Sequence, residues 1–297
     1  MNIEAILTGC VVHKGGRDIA VCAMQAAGGG GRTSFHVLIG DDWFGYEEEP
    51  EWAAVGMAAA QYPGAQDVVV VAAAPDGHTW ELSPSSRVER LSRVAQGDYS
   101  GITRLASIDD AVWACGMGRV VKRREAGGVW LELSAPKDDI ANGITGFTGI
   151  ASLGNDAQIA VGWRGEIWIR SNGVWFQEDS PTNSNFNNVS VGPDGAVVVV
   201  GDRGGLVLGR PGQWTALDCR TDFNLQGVCH FAGEVFVCSD FEIFRLVDGA
   251  LLRETRFGDE GEPATCMNFL VGKTCVYSQG ERHLYRFDDA RRWATVL

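Results

Sequence analysis

The chain has 297 residues, room for one large domain or two ordinary ones, and with 45% hydrophobic and 21% charged residues it is neither disordered nor fibrous. Its 25 basic and 38 acidic residues give a formal charge of −13, which opposes nucleic-acid binding and suits a basic protein partner. No run approaches the roughly 18 apolar residues that a membrane helix needs, so a membrane protein is not expected either.

With 39 glycines, 9 prolines and 10 tryptophans, the chain reads as short aromatic-anchored strands joined by tight turns. The first predicted strand, Ile3 to Val12, contains Leu7-Thr8-Gly9-Cys10, which looks like a lipoprotein cleavage box. The six residues before it include Glu4 and no Lys or Arg, so the basic and apolar regions of a secretory signal are missing and a strand is the better reading. Gly28 to Gly31 lacks the Gly-Lys-Ser/Thr of a phosphate loop and reads as a hairpin tip. Further on, Val68 to Val71 and Val197 to Val200 are apolar without alternation, as strands covered on both faces should be. Pro75-Asp76-Gly77 and Pro193-Asp194-Gly195 carry turn chemistry. Lys122-Arg123-Arg124 is the compact basic run, and on a third strand its alternate side chains are expected to face solvent.

A unit of four strands recurs, with its fourth strand anchored in turn by Trp43, Val88, Trp130, Trp175, Trp214, Leu252 and Trp293. The anchors are 38 to 45 residues apart, close to the roughly 40 to 45 residues of a four-stranded propeller blade. Seven such units, approximately 1–50, 51–93, 94–136, 137–180, 181–219, 220–258 and 259–297, consume the chain as a single domain. The fold class expected is all-β, a seven-bladed β-propeller of antiparallel blades that closes end to end without strand exchange. Trp130, Trp175 and Trp214 are expected to be buried. Eight cysteines without CxxC spacing, seven of them in apolar runs, read as free thiols packed as small hydrophobes in a reducing, cytoplasmic setting.

The stretch Ala160-Val161-Gly162-Trp163-Arg164-Gly165-Glu166-Ile167-Trp168 to Trp175, and Val200-Gly201-Asp202-Arg203-Gly204-Gly205 to Trp214, resemble the repeats of Ycf48-like and BNR (Asp-box) propellers. The shared pattern is a second strand ending in Gly, a Gly-bearing turn and a hairpin into a Trp-led fourth strand. The Asp box itself is shortened at Ser171-Asn172-Gly173-Val174-Trp175 and lacks its Asp. The Ycf48-like resemblance implies an assembly factor. The Asp-box resemblance implies a sialidase-like or carbohydrate-binding protein, which would need a Tyr nucleophile paired with Glu. None of the five tyrosines, Tyr46, Tyr62, Tyr99, Tyr277 and Tyr285, sits in such a motif.

No catalytic constellation, metal site or cofactor site is expected. The five histidines are scattered, and the adjacent acids Asp138-Asp139 and Asp288-Asp289 read as solvated turns. What remains is a recognition surface. In a propeller, the turns between second and third strands share one face with the loops between blades. The turns place Trp163, Arg164, Asp202, Arg203, Asp240 and Phe241 there, and the loops add Tyr99, Phe186 and Phe223. Met117, Arg119, Gln279 and Arg282 fall in the same turns. Exposed aromatics and arginines are the residue types of interface hot spots. A second patch sets the carboxylates Asp41, Asp42, Glu47, Glu48, Glu49 and Glu51 among Trp43, Phe44, Tyr46 and Trp52. It reads as an edge protected from sheet pairing, or as an acidic rim that steers a basic partner. The function expected is a non-enzymatic propeller, monomeric when free, that holds one protein partner: an immunity protein against a secreted bacterial toxin, or an assembly factor.

Overall fold

The computed structural model describes residues 3–26, 31–46, 49–83, 88–93, 101–137 and 145–297, with 88–93 described by their backbone alone. Twenty-eight strands, β1 to β28 in chain order, form seven four-stranded antiparallel sheets, each from four consecutive strands. The first comprises β1 (Ile3–Lys14), β2 (Arg17–Ala26), β3 (Ser34–Ile39) and β4 (Asp42–Gly45). The other six cover 56–93, 102–132, 147–178, 186–218, 227–253 and 268–295. Each of the seven anchors lies in the fourth strand of its blade. The protein is a seven-bladed β-propeller. Among the described residues its helical content is one 3-10 turn, Trp163–Gly165, so no helix is long and apolar enough to cross a membrane.

Local chemistry sets the hairpins. The shortened Asp box is the turn between β15 (Ile167–Ser171) and β16 (Val174–Glu178), with Asn172 at φ 52° and Gly173 at φ 81°. Two successive positive φ values define the turn whose twist matches a hairpin, and Asn-Gly adopts it most readily. Its missing Asp is therefore no defect in the strand pairing.

The core is divided into seven apolar clusters, one between each pair of neighbouring blades. The valine-rich second strands show why. In β6 (Val69–Ala73), Val70 and Ala72 pack toward the first blade, whereas Val71 and Ala73 pack toward the third. In β18 (Val197–Gly201), Val197 and Val199 face the fourth blade, and Val198 and Val200 the sixth. Side chains alternate along a strand, so an unbroken apolar run must find a partner on both sides.

The anchors are buried unequally. Trp293 is fully inaccessible and Trp175 nearly so, but Trp130 and Trp214 are only half-buried, which corrects the expectation for those two. All four lie on outer strands, so strand position does not set this burial; Trp175 packs in the cluster between the third and fourth blades and Trp293 in that between the sixth and seventh. All eight cysteines are free, seven buried and Cys219 half-buried. Burial pushes the Cys22 and Cys115 thiols up to about 12.

Polar groups also cross between blades. Arg124, expected to face solvent, is instead buried on β11 (Val120–Arg124). It forms a bidentate pair with buried Glu81, two bonds of 2.8 Å, below the Tyr62 ring. Its outward neighbours Lys122 and Arg123 pair with Glu132 and Glu125. Arg256, in the connection from the sixth to the seventh blade, bridges Glu234 and Glu254.

The ring closes between the first and seventh blades without strand exchange, since both hold four strands of their own. Leu270, Tyr277 and Leu284 pack on Ile6, Cys22 and Met24, and Trp43 Nε1 donates to the Val296 carbonyl at 3.1 Å. The side chain of Asp18 is almost inaccessible. Its Oδ2 accepts from the Thr274 amide at 2.6 Å, the Thr274 hydroxyl at 2.9 Å and the Cys275 amide at 3.1 Å, while Oδ1 meets His13 Nδ1 at 2.7 Å. Burial alone would raise this carboxyl, but the bonds from Thr274 and His13 outweigh it and hold it at about 2. Glu254 is likewise held at about 2, burial being outweighed by Arg256 and nearby amides.

Two stability predictions follow from this packing. Trp293→Ala should cost about 3 to 5 kcal/mol in urea unfolding, the range for a large aromatic lost from a core, and Trp214→Ala distinctly less. Asp18 and Glu254 have folded pKa values below those of unfolded carboxyls, near 4. Their contribution is complete above about pH 4 and disappears as pH falls toward 2. Thermal unfolding between pH 5 and 2 should show Asp18→Asn flattening that loss, and an unchanged slope would refute the clasp.

Candidate functional site

The turns between second and third strands and the connections between blades meet on one face. Three of these turns share a backbone. Gly118-Arg119, Arg164-Gly165 and Arg203-Gly204 all have positive φ at both positions, 65° and 56°, 59° and 72°, and 52° and 71°. In the last two, glycine is required by space as well as by φ. A Cβ on Gly165 would lie 2.0 Å from the Thr182 carbonyl oxygen, and one on Gly204 2.1 Å from that of Thr221. An asparagine from the next connection caps each turn: Arg164 N–H donates to Asn185 Oδ1 and Arg203 N–H to Asn224 Oδ1, both at 3.0 Å. The arrangement is thus built twice on consecutive blades, and it presents the Arg164 and Arg203 side chains to solvent.

Arg119 shows the opposite outcome. It follows its glycine instead of preceding it, and its side chain turns inward. There it forms a bidentate pair with Glu166, at 2.6 and 2.9 Å, with its guanidinium 4.6 Å from the Trp168 ring centroid. Both partners are buried, and the pair ties the third blade to the fourth beneath the face.

The acids expected to meet a partner are largely occupied within the platform. Asp202 accepts from Asn185 Nδ2 at 3.1 Å and Asn187 Nδ2 at 3.0 Å. Asp240 accepts from Gln226 Nε2 at 3.0 Å, and its carbonyl accepts from the Cys266 amide at 2.9 Å. They position the loops rather than extend from them. Phe186 is corrected outright: it is fully buried between the fourth and fifth blades, because it begins β17 (Phe186–Val191) and points into the intersheet core. Tyr99, like Asp138 and Asp139, lies outside the described residues.

The expected residues that stay exposed on this face are Arg164, Arg203, Phe223 and Phe241, beside half-buried Trp163. Phe241 is 59% exposed and Phe223 44%, although their backbones are fixed by bonds from Phe241 N–H to Ser239 Oγ and from Gly204 N–H to the Phe223 carbonyl. Met267, 46% exposed in the next connection, extends the apolar surface toward the channel mouth. Sequence reading missed it, since a lone methionine before a strand carries no signal. Two large apolar rings held in water by a hydrogen-bonded frame suit a protein contact: little ordering remains to be done on binding.

The acidic patch is divided by its own strand. Asp41 and Asp42 lie at the turn between β3 and β4, while Glu49 and Glu51 follow the opposite end of β4; all four are exposed, and Glu51 pairs with Arg32 at 3.1 Å. Glu47 and Glu48 lie outside the described residues. Of the interleaved aromatics, Tyr46 and Trp52 pack on the core between the first and second blades, and Trp43 on the closure. Phe44 alone among the four is exposed. Among the described residues, no group of three or more His, Cys, Asp or Glu is placed to hold a metal ion.

Comparison with known proteins adds a direction. The chain is similar to an immune protein. It is 30% identical over 205 residues to the immune protein Tsi7 of Pseudomonas aeruginosa, covering 68% of this chain. The match spans 66% of that relative, just under two thirds of its length. No family model matches the chain. Among solved structures, the WD40 β-propeller domain of Doa1 superposes with a TM-score of 0.73 at 10% identity, covering 98% of this chain and 96% of that one. The extracellular domain of a one-component system from B. thetaiotaomicron gives 0.67 at 11% identity, over 94% of this chain and 38% of that one. At such identities these structures speak for the propeller fold alone.

The buried pair beneath the face generates a prediction. Glu166→Gln should cost about 3 to 5 kcal/mol in equilibrium unfolding, because Arg119 is left buried without its counter-charge. The double variant Glu166→Gln/Arg119→Met should recover much of that loss.

Proposed function

We propose that the protein is an immunity protein, a non-enzymatic inhibitor that binds a bacterial toxin through the face built from Arg164, Arg203, Phe223 and Phe241. The similarity to the immune protein Tsi7 carries this reading. The preorganised aromatic and arginine surface supports it, as does the absence of a catalytic constellation in the sequence. The net charge of −13 favours a basic toxin, with Asp41, Asp42, Glu49 and Glu51 raising the rate of encounter rather than holding the complex. Under this reading the free protein is a cytoplasmic monomer that binds one toxin molecule. The Ycf48-like pattern of the central blades would favour an assembly factor, but it describes only a turn and strand arrangement, whereas the Tsi7 alignment runs over 205 residues.

The partner is sought by affinity capture from the source organism and among the products of neighbouring open reading frames. With it in hand, Phe241→Ala or Phe223→Ala should weaken binding by about 2 kcal/mol or more, leave the melting temperature nearly unchanged and remove protection in co-expression. Reversing Asp41, Asp42 and Glu49 to Lys should slow association and reduce its salt dependence, with a smaller effect on dissociation. Unchanged affinity in both sets, with an oligosaccharide binding at the channel mouth, would replace this reading by a carbohydrate-binding one.

A further inference from the structure

The central channel contains an arginine that, among the described residues, pairs with no carboxylate. Arg104 projects from β9 (Ile102–Ile108), an innermost strand, and lines both the channel, of about 420 Å³, and the cavity of about 350 Å³ at its mouth. Its Nε donates to the Thr148 carbonyl on the next blade at 2.8 Å, which fixes the plane of the guanidinium. No other hydrogen bond and no carboxylate within 4.0 Å engages it among the described residues. The contrast with the buried arginines is direct: Arg119 and Arg124 each meet a glutamate through two hydrogen bonds.

The surroundings offer no substitute. Burial lowers the Arg104 pKa, and the groups acting in the opposite direction are the Cys115 and Cys238 thiols. Both are themselves pushed far up by burial, so at neutral pH they are uncharged. The other titratable channel-lining groups are Cys10, Cys229 and His230, with Glu281 at the mouth. Burial raises Cys10 and Cys229 and lowers His230, so all three are neutral at pH 7. At about 30 Å³ per water, the channel has volume for several waters or a small oxyanion. A guanidinium oriented through Nε retains its two Nη groups for the bidentate geometry that carboxylates and phosphates accept.

We infer that the channel of this propeller is an anion site in which Arg104 binds the oxygens of a phosphate or carboxylate group. The inference stands on its own whether or not the aromatic face binds a toxin. Its test uses the free, full-length protein. Inorganic phosphate and glutarate, each matched in ionic strength with sodium chloride, are titrated while the melting temperature is read, and phenylglyoxal modification of arginines is mapped by mass spectrometry. A saturable rise in melting temperature with phosphate, with protection of Arg104 from phenylglyoxal, is expected if the ligand is a free phosphoryl anion. The same response to glutarate alone identifies a carboxylate, such as an acidic side chain would present. Arg104→Gln should weaken the effect at least tenfold, and Arg104→Lys, which keeps the charge without the fork, should fall between. The protection assay on the unaltered protein covers the case in which a variant folds poorly. Equal responses to chloride, phosphate and glutarate, or a phosphate response unchanged in Arg104→Gln, would overturn the proposal and leave a merely hydrated arginine.

Discussion

Each blade of this protein packs apolar side chains against both of its neighbours, and that requirement governs the rest. A single sheet with Val69 to Ala73 or Val197 to Val200 in its middle cannot stand in water with either face uncovered. Each blade therefore needs two neighbours, and a row of blades satisfies this only by closing on itself. Closure concentrates the demand at one seam, where the first and last blades meet without a covalent connection. Apolar packing alone is not directional. The Asp18 carboxylate, anchored by Thr274 and Cys275, supplies a directional contact there and sets the register of the seam.

The candidate binding face is a by-product of the same ring. Closing the blades brings the turns between second and third strands against the next connection, so close that Gly165 and Gly204 nearly touch the Thr182 and Thr221 carbonyls. Backbone groups crowded in this way need partners: Asn185 and Asn224 accept from the Arg164 and Arg203 amides, and Asn187 donates to the Leu225 carbonyl, while Asn187 and Gln226 also engage the Asp202 and Asp240 carboxylates. Polar side chains are thereby spent inside the platform. The large apolar and cationic side chains left outward are Phe223, Phe241, Met267, Arg164 and Arg203, with Asp222 and Glu281 exposed among them.

The ion pairs divide by the same geometry. Arg119 and Arg124 are between blades, where water is excluded and a glutamate must accompany each. Arg104 lines the channel left by the innermost strands, and among the described residues no glutamate pairs with it. Position in the ring, not residue type, decides which arginine is a staple and which is available to a ligand.

Much of the architecture was legible in the sequence because it is periodic: the anchor spacing of 38 to 45 residues and the unbroken valine runs report strands and two-sided burial locally. Turn chemistry was legible for the same reason, since Pro75-Asp76-Gly77 and Pro193-Asp194-Gly195 act within a few residues. The site was legible only in part. Phe223 and Phe241 could be placed on a face from the repeat, but Phe186 could not be told from them, because one residue's difference in register moves a ring from solvent to core. The pairing of Arg124 with Glu81, 43 residues earlier, the internal use of Asp202 and the isolation of Arg104 all depend on contacts between blades. A blade's own sequence fixes which residues it offers to its neighbours. Only the closed ring determines which of them are met, because the distance between two blades is set by packing and not by the chain.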